Sequence, residues 1–276
     1  MDVDVGIVAQ RDNERAQTLA VTLLETLADE DVTVTVDEET GTAIGVAGAP
    51  VSEMESCDLV VSIGGDGTFL FVARETDGAA LVGVNLGEVG FLNAVAPEEA
   101  VVAVSELVAD LQADGRVDGV CVDRLRASGE GWDLEPALNE VVVHGPRRGR
   151  GGGAEIEVRV DGERYTSGHA DGVLVATPTG STAYNLSEGG PLLQPSVDAL
   201  VITQMAASDS MPPLVVGADS EVTLHVSGTE RAWSISDGRN RRPLEPPTTV
   251  TVTVADEPLT IAGPRTNFFD ALEKLE

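Results

Sequence analysis

Three stretches of this chain combine polar or ionisable side chains with backbone freedom in patterns that chemistry can use. The first is Ser62-Ile63-Gly64-Gly65-Asp66-Gly67-Thr68-Phe69-Leu70. Glycines let backbone N–H groups approach phosphate oxygens with no Cβ in the way. An Asp among them repels phosphate unless it has another task, such as holding Mg2+ or accepting a proton from an attacking hydroxyl. No Lys follows the glycines, so the stretch is not a P-loop, and its spacing is not G-x-G-x-x-G either. The second stretch, Leu138-Asn139-Glu140-Val141, sets an amide beside a carboxylate at the start of an apolar run. On a strand the two would point to opposite faces, whereas at a strand end or bulge both could reach a ligand. The third runs from Asp171 to Pro191 and offers the hydroxyls of Thr177, Thr179, Ser181 and Thr182, with Tyr184 able to stack. So long a loop between glycines is costly unless it performs a task. Arginines gather at Arg147, Arg148 and Arg150 and again at Arg239, Arg241 and Arg242, where they could neutralise phosphate.

These residues need elements to hold them. Val3 to Ala9 reads as an apolar strand, Glu14 to Leu27 carries Leu19, Leu23, Leu24 and Leu27 at helical spacing, and Val32 to Val36 alternates Val with Thr. A Gly- and Glu-rich loop follows. Asp58 to Ile63 is a buried-strand run that leads into the glycine turn and a helix from about Thr68 to Glu75. Leu81 to Asn85 is the next strand, and Pro97 opens a helix reaching about Leu111. Strand and helix alternating in this way predict an open, parallel, doubly wound sheet, the kind that binds ligands outside the carboxyl ends of its strands.

Near Asp114-Gly115 the pattern changes to strands, including Val117 to Ala127, Leu134 to Val143, Glu155 to Val160, Arg164 to His169 and Gly172 to Ala176. Asp161-Gly162 and Asp237-Gly238 supply hairpin turns between strands. The division expected is therefore an α/β domain over 1–115, a β-rich domain over 116–262, and a C-terminal helix over 263–276 that packs back on the first.

Composition narrows the partners. The formal charge of the 276 residues is −30, with a pI near 4.2, and Lys274 is the only lysine among 17 basic residues. Such a surface repels nucleic acid and anionic membranes. Molar salt shortens the Debye length to ~3 Å and removes most of the self-repulsion, so a salt-loving cytoplasm is the expected setting. The acidic, alternating start Met1-Asp2-Val3-Asp4-Val5 does not read as a signal peptide. Cys57 and Cys121 are far apart, neither in a C-x-x-C pair, and His is scarce, which argues against a zinc site or a disulfide framework.

Taken together, the three stretches resemble the NAD kinase family. Asp171 to Pro191 is similar to the family's D-G-x-x-x-x-T-P-T-G-S-T-A-Y signature and its Gly-Gly-Pro continuation. Gly83-Val84-Asn85-Leu86-Gly87-Glu88-Val89-Gly90-Phe91-Leu92 is similar to its G-x-N-x-G-x-x-G-F-L stretch. The resemblance implies an N-terminal doubly wound α/β domain and a C-terminal β-sandwich-like domain with NAD between them. It implies that Asp66 accepts the proton of the ribose 2′-hydroxyl and that Gly67 touches the nucleotide. Asn139 and Glu140 would grip the adenosine part, and Arg150, His169 and Asp171 would line the same cleft. Thr182, Ala183, Tyr184, Asn185, Leu186 and Ser187 would hold the ribose and adenine, often from a neighbouring subunit. Ser236-Asp237-Gly238 resembles the family's late D-G turn, which would bring Arg239 to Arg242 near the site. The implied reaction converts NAD to NADP with ATP or polyphosphate as donor and Mg2+ or another divalent cation, in a homodimer or homotetramer. One departure stands out: Ala207 and Pro212 occupy positions where family members often carry His and Arg. Two other readings of the glycine turn are a lipid or sugar kinase sharing Gly-Gly-Asp-Gly, and a non-catalytic NAD-binding module.

Overall fold

The computed structural model describes residues 2–28, 30, 32–87, 91–147, 149, 152–264 and 267–273. The chain forms two compact units, Met1–Val122 with Leu259–Glu276, and Asp123–Pro258.

The first unit is built on a six-stranded sheet. Its strands are β1 (Val3–Ala9), β2 (Val32–Val36), β3 (Leu59–Gly64), β4 (Ala80–Asn85), β5 (Gly119–Val122) and β18 (Leu259–Ala262), in the order β2-β1-β3-β4-β18-β5. Only β5 runs antiparallel to its neighbour. β1, β3 and β4 are apolar along most of their length because helices cover both faces. On one face lie α1 (Glu14–Leu27) and α4 (Ala100–Asp114), whose Ala20, Leu23, Val104 and Leu107 pack with Val5, Ile7, Val61 and Val84. On the other, α3 (Asp66–Glu75) and a 3₁₀ turn at Val51–Ser56 seat Met54 against Gly6, where any Cβ would lie 2.9 Å from the Met54 Sδ. The Asn13 side chain caps α1 by accepting from the Arg15 and Ala16 N–H groups.

The loop expected after β2 contains a helix instead, α2 (Glu38–Ile44). Asp37 caps it by accepting from the Glu39 and Thr40 N–H groups, and Gly45 ends it at φ +80°. The chain order 2-1-3-4 puts the switch point of the sheet between β1 and β3. There the Gln10 N–H, just past β1, donates to the Ile63 carbonyl at 2.7 Å.

The second unit is a sandwich of two six-stranded sheets. One has the order β10 (Glu163–Ala170), β9 (Ala154–Val160), β14 (Val222–Ser227), β17 (Thr248–Val254), β6 (Leu125–Gly129), β7 (Trp132–Asp133). The other has the order β13 (Leu214–Gly217), β12 (Ala199–Met205), β11 (Gly172–Ala176), β8 (Glu140–His144), β15 (Ala232–Ser236), β16 (Asn240–Leu244). Ile156, Val158, Leu224 and Val252 meet Val141, Val143, Val173 and Ile202 between them. Outside the second sheet, Val142, Leu174, Val201 and Met205 are covered by Tyr184 and Leu193, so the segment 177–193 is pinned over a sheet apolar on both faces.

Three expectations change. Val117 to Ala127 is two strands that belong to different units, because the chain turns at Asp123-Arg124. Arg124 is buried there, and its guanidinium donates to the Glu257 carbonyl at 3.1 and 2.8 Å. Leu259 to Ala262, expected in the β-rich domain, pairs with β4 and β5 in the first unit. The terminal helix α6 is Phe268–Leu272, capped by Asn267, and residues 274–276 of the longer helix expected lie outside the described residues.

Candidate active site

At the carboxyl end of β3, Gly64 is buried so tightly that a Cβ would come within 2.6 Å of the Thr68 Oγ1 and 3.0 Å of the Gln10 Cβ. Gly65 and Gly67 are the opposite: a Cβ on either would meet nothing within 4 Å, which leaves their backbone open to an approaching ligand. Asp66 opens α3, where the helix dipole favours a negative charge. Its Oδ1 accepts from the Asn93 side-chain amide at 2.8 Å, and the Phe91 and Leu92 N–H groups donate to the same carboxylate. Burial pushes the Asp66 carboxyl above its ordinary value, against the three donors that pull it down. The balance is an anion that is fixed in place and more basic than a solvated Asp, which suits a proton acceptor. Asn93 is itself buried, and its Oδ1 has no hydrogen-bond partner among the described residues.

In the second unit, Asn139 ends a loop and Glu140 opens β8, and both are buried. The N–H groups of Leu138, Asn139 and Glu140 do not continue the ladder. They converge on the Asp237 carboxylate at 2.7, 2.8 and 3.1 Å. This is why the strand expected from Leu134 begins only at Glu140. Asp237 sits in the β15–β16 turn with φ +45°, followed by Gly238 at +68°, and the turn is closed by the Arg239 N–H donating to the Ser236 carbonyl at 3.1 Å. The Asp237 N–H returns a bond to the Glu140 carbonyl at 3.1 Å. The Glu140 carboxyl accepts from the Tyr184 N–H and is pushed up to about 8, by burial first and by the Asp237 charge second.

The loop 177–182 rests on the same strand end. The Thr177 Oγ1 donates to the Leu138 carbonyl at 2.7 Å and accepts from the Gly180 N–H at 3.0 Å. Gly180 lies so close to Asn139 that a Cβ would be 2.0 Å from its carbonyl oxygen. The expected binding residues beyond it divide by role. Asn185 is fully buried, its amide donating to the Ser181 and Pro191 carbonyls and accepting from the Thr203 hydroxyl, so its side chain builds the loop. The Thr182 hydroxyl bonds the Thr179 carbonyl. Ala183, Tyr184 and Leu186 are partly exposed and Ser187 is exposed, in and around the short helix α5 (Tyr184–Ser187).

His169 and Asp171 hold the loop between β8 and β9. The Gly149 N–H donates to the Asp171 Oδ2 at 2.7 Å, and the His169 ring contacts the Gly152 carbonyl at 2.9 Å and Glu155 at 3.3 Å. Arg148 and Arg150 on that loop lie outside the described residues. Arg241 and Arg242, expected to gather near phosphate, are on the edge strand β16, where their guanidinium carbons lie 3.5 Å from the Trp233 ring and 5.7 Å from the Trp132 ring. Sequence reasoning missed two residues. Asn93 gave no signal beyond following Phe91-Leu92. Asp237 was visible only as a turn residue, and its cradle role requires knowing that residues about a hundred positions earlier come back to it.

Among the described residues no three His, Cys, Asp or Glu side chains converge as a metal would need. One carboxylate at an open glycine turn fits a Mg2+ carried in on donor phosphates, an ion that needs only one or two protein carboxylates.

An α/β unit with a fixed carboxylate at a glycine turn and a sandwich unit with a polar strand end fit a phosphotransferase that acts on a nucleotide. Residues 5–111 match the ATP-NAD kinase N-terminal domain and residues 138–262 the ATP-NAD kinase C-terminal domain. The chain belongs to the NAD kinase family. It is 55% identical to the NAD kinase of Haloarcula marismortui, over 98% of this chain and 99% of that protein. It is also 55% identical to that of Halobacterium salinarum, over 99% of each. Among solved structures, its fold is similar to yeast NADH kinase complexed with NADH (TM-score 0.86, 21% identity, 99% of this chain and 87% of that one). It is likewise similar to an NAD kinase from Archaeoglobus fulgidus in complex with ATP (TM-score 0.80, 23% identity, 99% and 100%). Among the described residues no helix is long and apolar enough to cross a membrane.

Proposed function

We infer that this chain phosphorylates the 2′-hydroxyl of the adenosine ribose of NAD, giving NADP. Family membership over both halves of the chain carries the reading. The carboxylate of Asp66, held by three N–H donors yet raised by burial, supplies the chemical group the reaction needs. ATP or polyphosphate is the donor, and a divalent cation arriving with it would neutralise phosphate charge. The acceptor's O–H bond breaks and its proton passes to an Asp66 carboxylate oxygen. The 2′-oxygen forms a bond to the terminal phosphorus, and the bond from that phosphorus to the bridging oxygen breaks, the electron pair leaving with the shortened donor. Gly65 and Gly67 present bare backbone to the phosphates. In the second unit Asn139 and Glu140 hold the adenosine, with Tyr184 and its neighbours beside them. Asp171 and His169 fix the loop that carries Arg147, Arg148 and Arg150. The working assembly is a homodimer or homotetramer in a saline cytoplasm.

Asp66→Asn preserves shape and removes the base. NADP formation from ATP, Mg2+ and NAD should fall by roughly 10² to 10⁴, with NAD binding retained. Near-normal turnover of the variant would remove Asp66 from this role. Product formed only with a lipid or sugar acceptor would overturn the NAD assignment, and tight NAD binding by the unmodified chain without any product would leave a binding module.

A further inference from the structure

Glu140 is placed unusually for a carboxyl group. Its side chain is buried, and its Oε2 has no hydrogen-bond partner among the described residues. Its neighbour on β11 is Ala176, and beside it on β15 Ser236 lies opposite Val141. The charged group acting on it is Asp237, on the β15–β16 turn, and its one donor is the backbone N–H of Tyr184, on α5. None of the ion pairs among the described residues includes it. Asp237 directs its own negative charge at the three N–H groups of residues 138–140. One carboxylate is thus fully served by backbone donors, and the one beside it has a single backbone donor and a bare oxygen. A bare carboxylate oxygen in a buried site is costly, whereas a neutral carboxylic acid keeps an O–H free to donate.

We propose that Glu140 meets the nucleotide as a neutral carboxylic acid, donating its O–H to an acceptor on NAD such as a ribose oxygen or an adenine ring nitrogen, and that Asp237 is the positioning residue that keeps it neutral and in place. The inference rests on the reading that residues 139 and 140 contact NAD. It explains why the cradle uses a charged Asp: the anion that fixes the strand end also repels a second charge at Glu140. With burial and that repulsion the carboxyl titrates at about 8, so near pH 7 most of it is in the donor form.

Two variants and two measurements test this. The KM for NAD at saturating ATP and Mg2+, and the Kd for NAD by calorimetry without donor, are followed from pH 6.5 to 9.5. In the unmodified protein both should rise with pH, about tenfold between pH 7 and pH 9, as the neutral form is titrated away. E140Q donates through its amide at every pH, so it should show no such inflection and should bind NAD more tightly than the unmodified protein at pH 9. D237N removes the like charge, so its inflection should move to lower pH. A purely structural role for Asp237 would weaken binding at all pH values without moving the inflection. If Glu140 instead accepts from ribose hydroxyls as an anion, NAD binding tightens as pH rises and E140Q is the weaker binder at pH 9; that result overturns the proposal, as does an unmoved inflection in D237N. The fold supplies a second readout. A carboxyl raised in the folded state contributes stability present below its unfolded value near 4.5 and lost as pH rises through about 8. The melting temperature of E140Q relative to the unmodified protein should therefore climb between pH 4.5 and 8, and a constant difference counts against the proposal. Calorimetry separates the two claims: the expected pH profile for NAD binding with no NADP formed would uphold the inference and defeat the kinase assignment.

Discussion

Replacing Gly83 with Ala adds one methyl group on β4, and it should damage catalysis through Asn93, whose amide holds the Asp66 carboxylate. A Cβ at Gly83 would lie 2.3 Å from the Asn93 Oδ1 and 3.0 Å from its Cα and Cγ. A carbon and an oxygen not bonded to each other settle at about 3.3 Å or more, so Asn93 must retreat by about 1 Å. It cannot take its backbone along easily. The Val95 N–H donates to the Gly83 carbonyl and the Asn85 N–H to the Val95 carbonyl, which ties the chain to β4 two residues past Asn93. The amide would swing instead, and its 2.8 Å bond to Asp66 would open beyond hydrogen-bond range. Loss of the bond that fixes Asp66 costs about tenfold in rate, roughly 1.4 kcal/mol. Overpacking should also lower stability by about 1–3 kcal/mol, so the variant remains folded and assayable. Asn93→Ala deletes the clashing atom and the hydrogen bond together. It should slow turnover about tenfold by loss of one bond to a charged group. It should also move the acid limb of kcat to higher pH, because the amide is a donor that lowers the Asp66 carboxyl. The double variant Gly83→Ala/Asn93→Ala should then be little slower than Asn93→Ala alone, a strong departure from additivity. The assay is NADP formation at saturating ATP and NAD, with unfolding midpoints measured on the same samples. Full activity in Gly83→Ala, or rate losses that simply multiply in the double variant, would refute the link from β4 through Asn93 to Asp66.

Two further outcomes follow from charge and burial. With a net charge of −30 the protein should unfold at a markedly lower temperature in 0.1 M than in 2 M potassium chloride, because the Debye length falls from ~10 Å at 0.1 M to ~3 Å at 1 M; equal midpoints would mean that self-repulsion does not limit stability. Cys121 is exposed, whereas Cys57 is buried, its thiol pushed up to about 11 mainly by burial and further by Asp4 and Asp58. A thiol reagent at pH 8 should therefore modify Cys121 at once and Cys57 only on unfolding, and prompt reaction of both in the native protein would contradict the packing around Met54 and β3.

Local signals made much of the α/β half legible. α1 and β2 have the limits their periodicity gives, since each carries its pattern over its full length. α2 was hidden because a seven-residue helix containing Gly41 has no apolar stripe. It is held by the Asp37 cap and by packing so close that a Cβ on Gly41 would be 3.0 Å from the Gly48 Cα. β16 was hidden because Arg241-Arg242-Pro243 reads as a loop. On a sheet edge a Pro costs no ladder bond on the solvent side, and the arginines find Trp faces. The break between β5 and β6 was hidden for a third reason. It depends on Arg124 meeting the Glu257 carbonyl, a contact between positions 133 residues apart.

The site divides along the same line. Asp66 was legible because its glycines are adjacent in sequence and the chemistry of the turn is local. Asn93 and Asp237 were not, since each serves residues that only the fold brings to it. The treatment of the buried carboxyl groups explains why those two matter. A chain this acidic has no shortage of carboxylates, but solvated ones are ordinary anions and poor at anything a nucleotide kinase needs. Asp66 is given three donors and enough burial to be a fixed, basic anion. Asp237 is given three donors and spends its charge on backbone. Glu140, beside it, receives one donor and a neighbouring negative charge, and is driven toward the neutral acid. The three groups differ little in intrinsic acidity. Donor count, burial and one neighbouring charge separate them into the base, scaffold and hydrogen-bond donor proposed above, so exchanging Asn93 or Asp237 should change the chemistry of a neighbouring carboxyl more than it changes the fold.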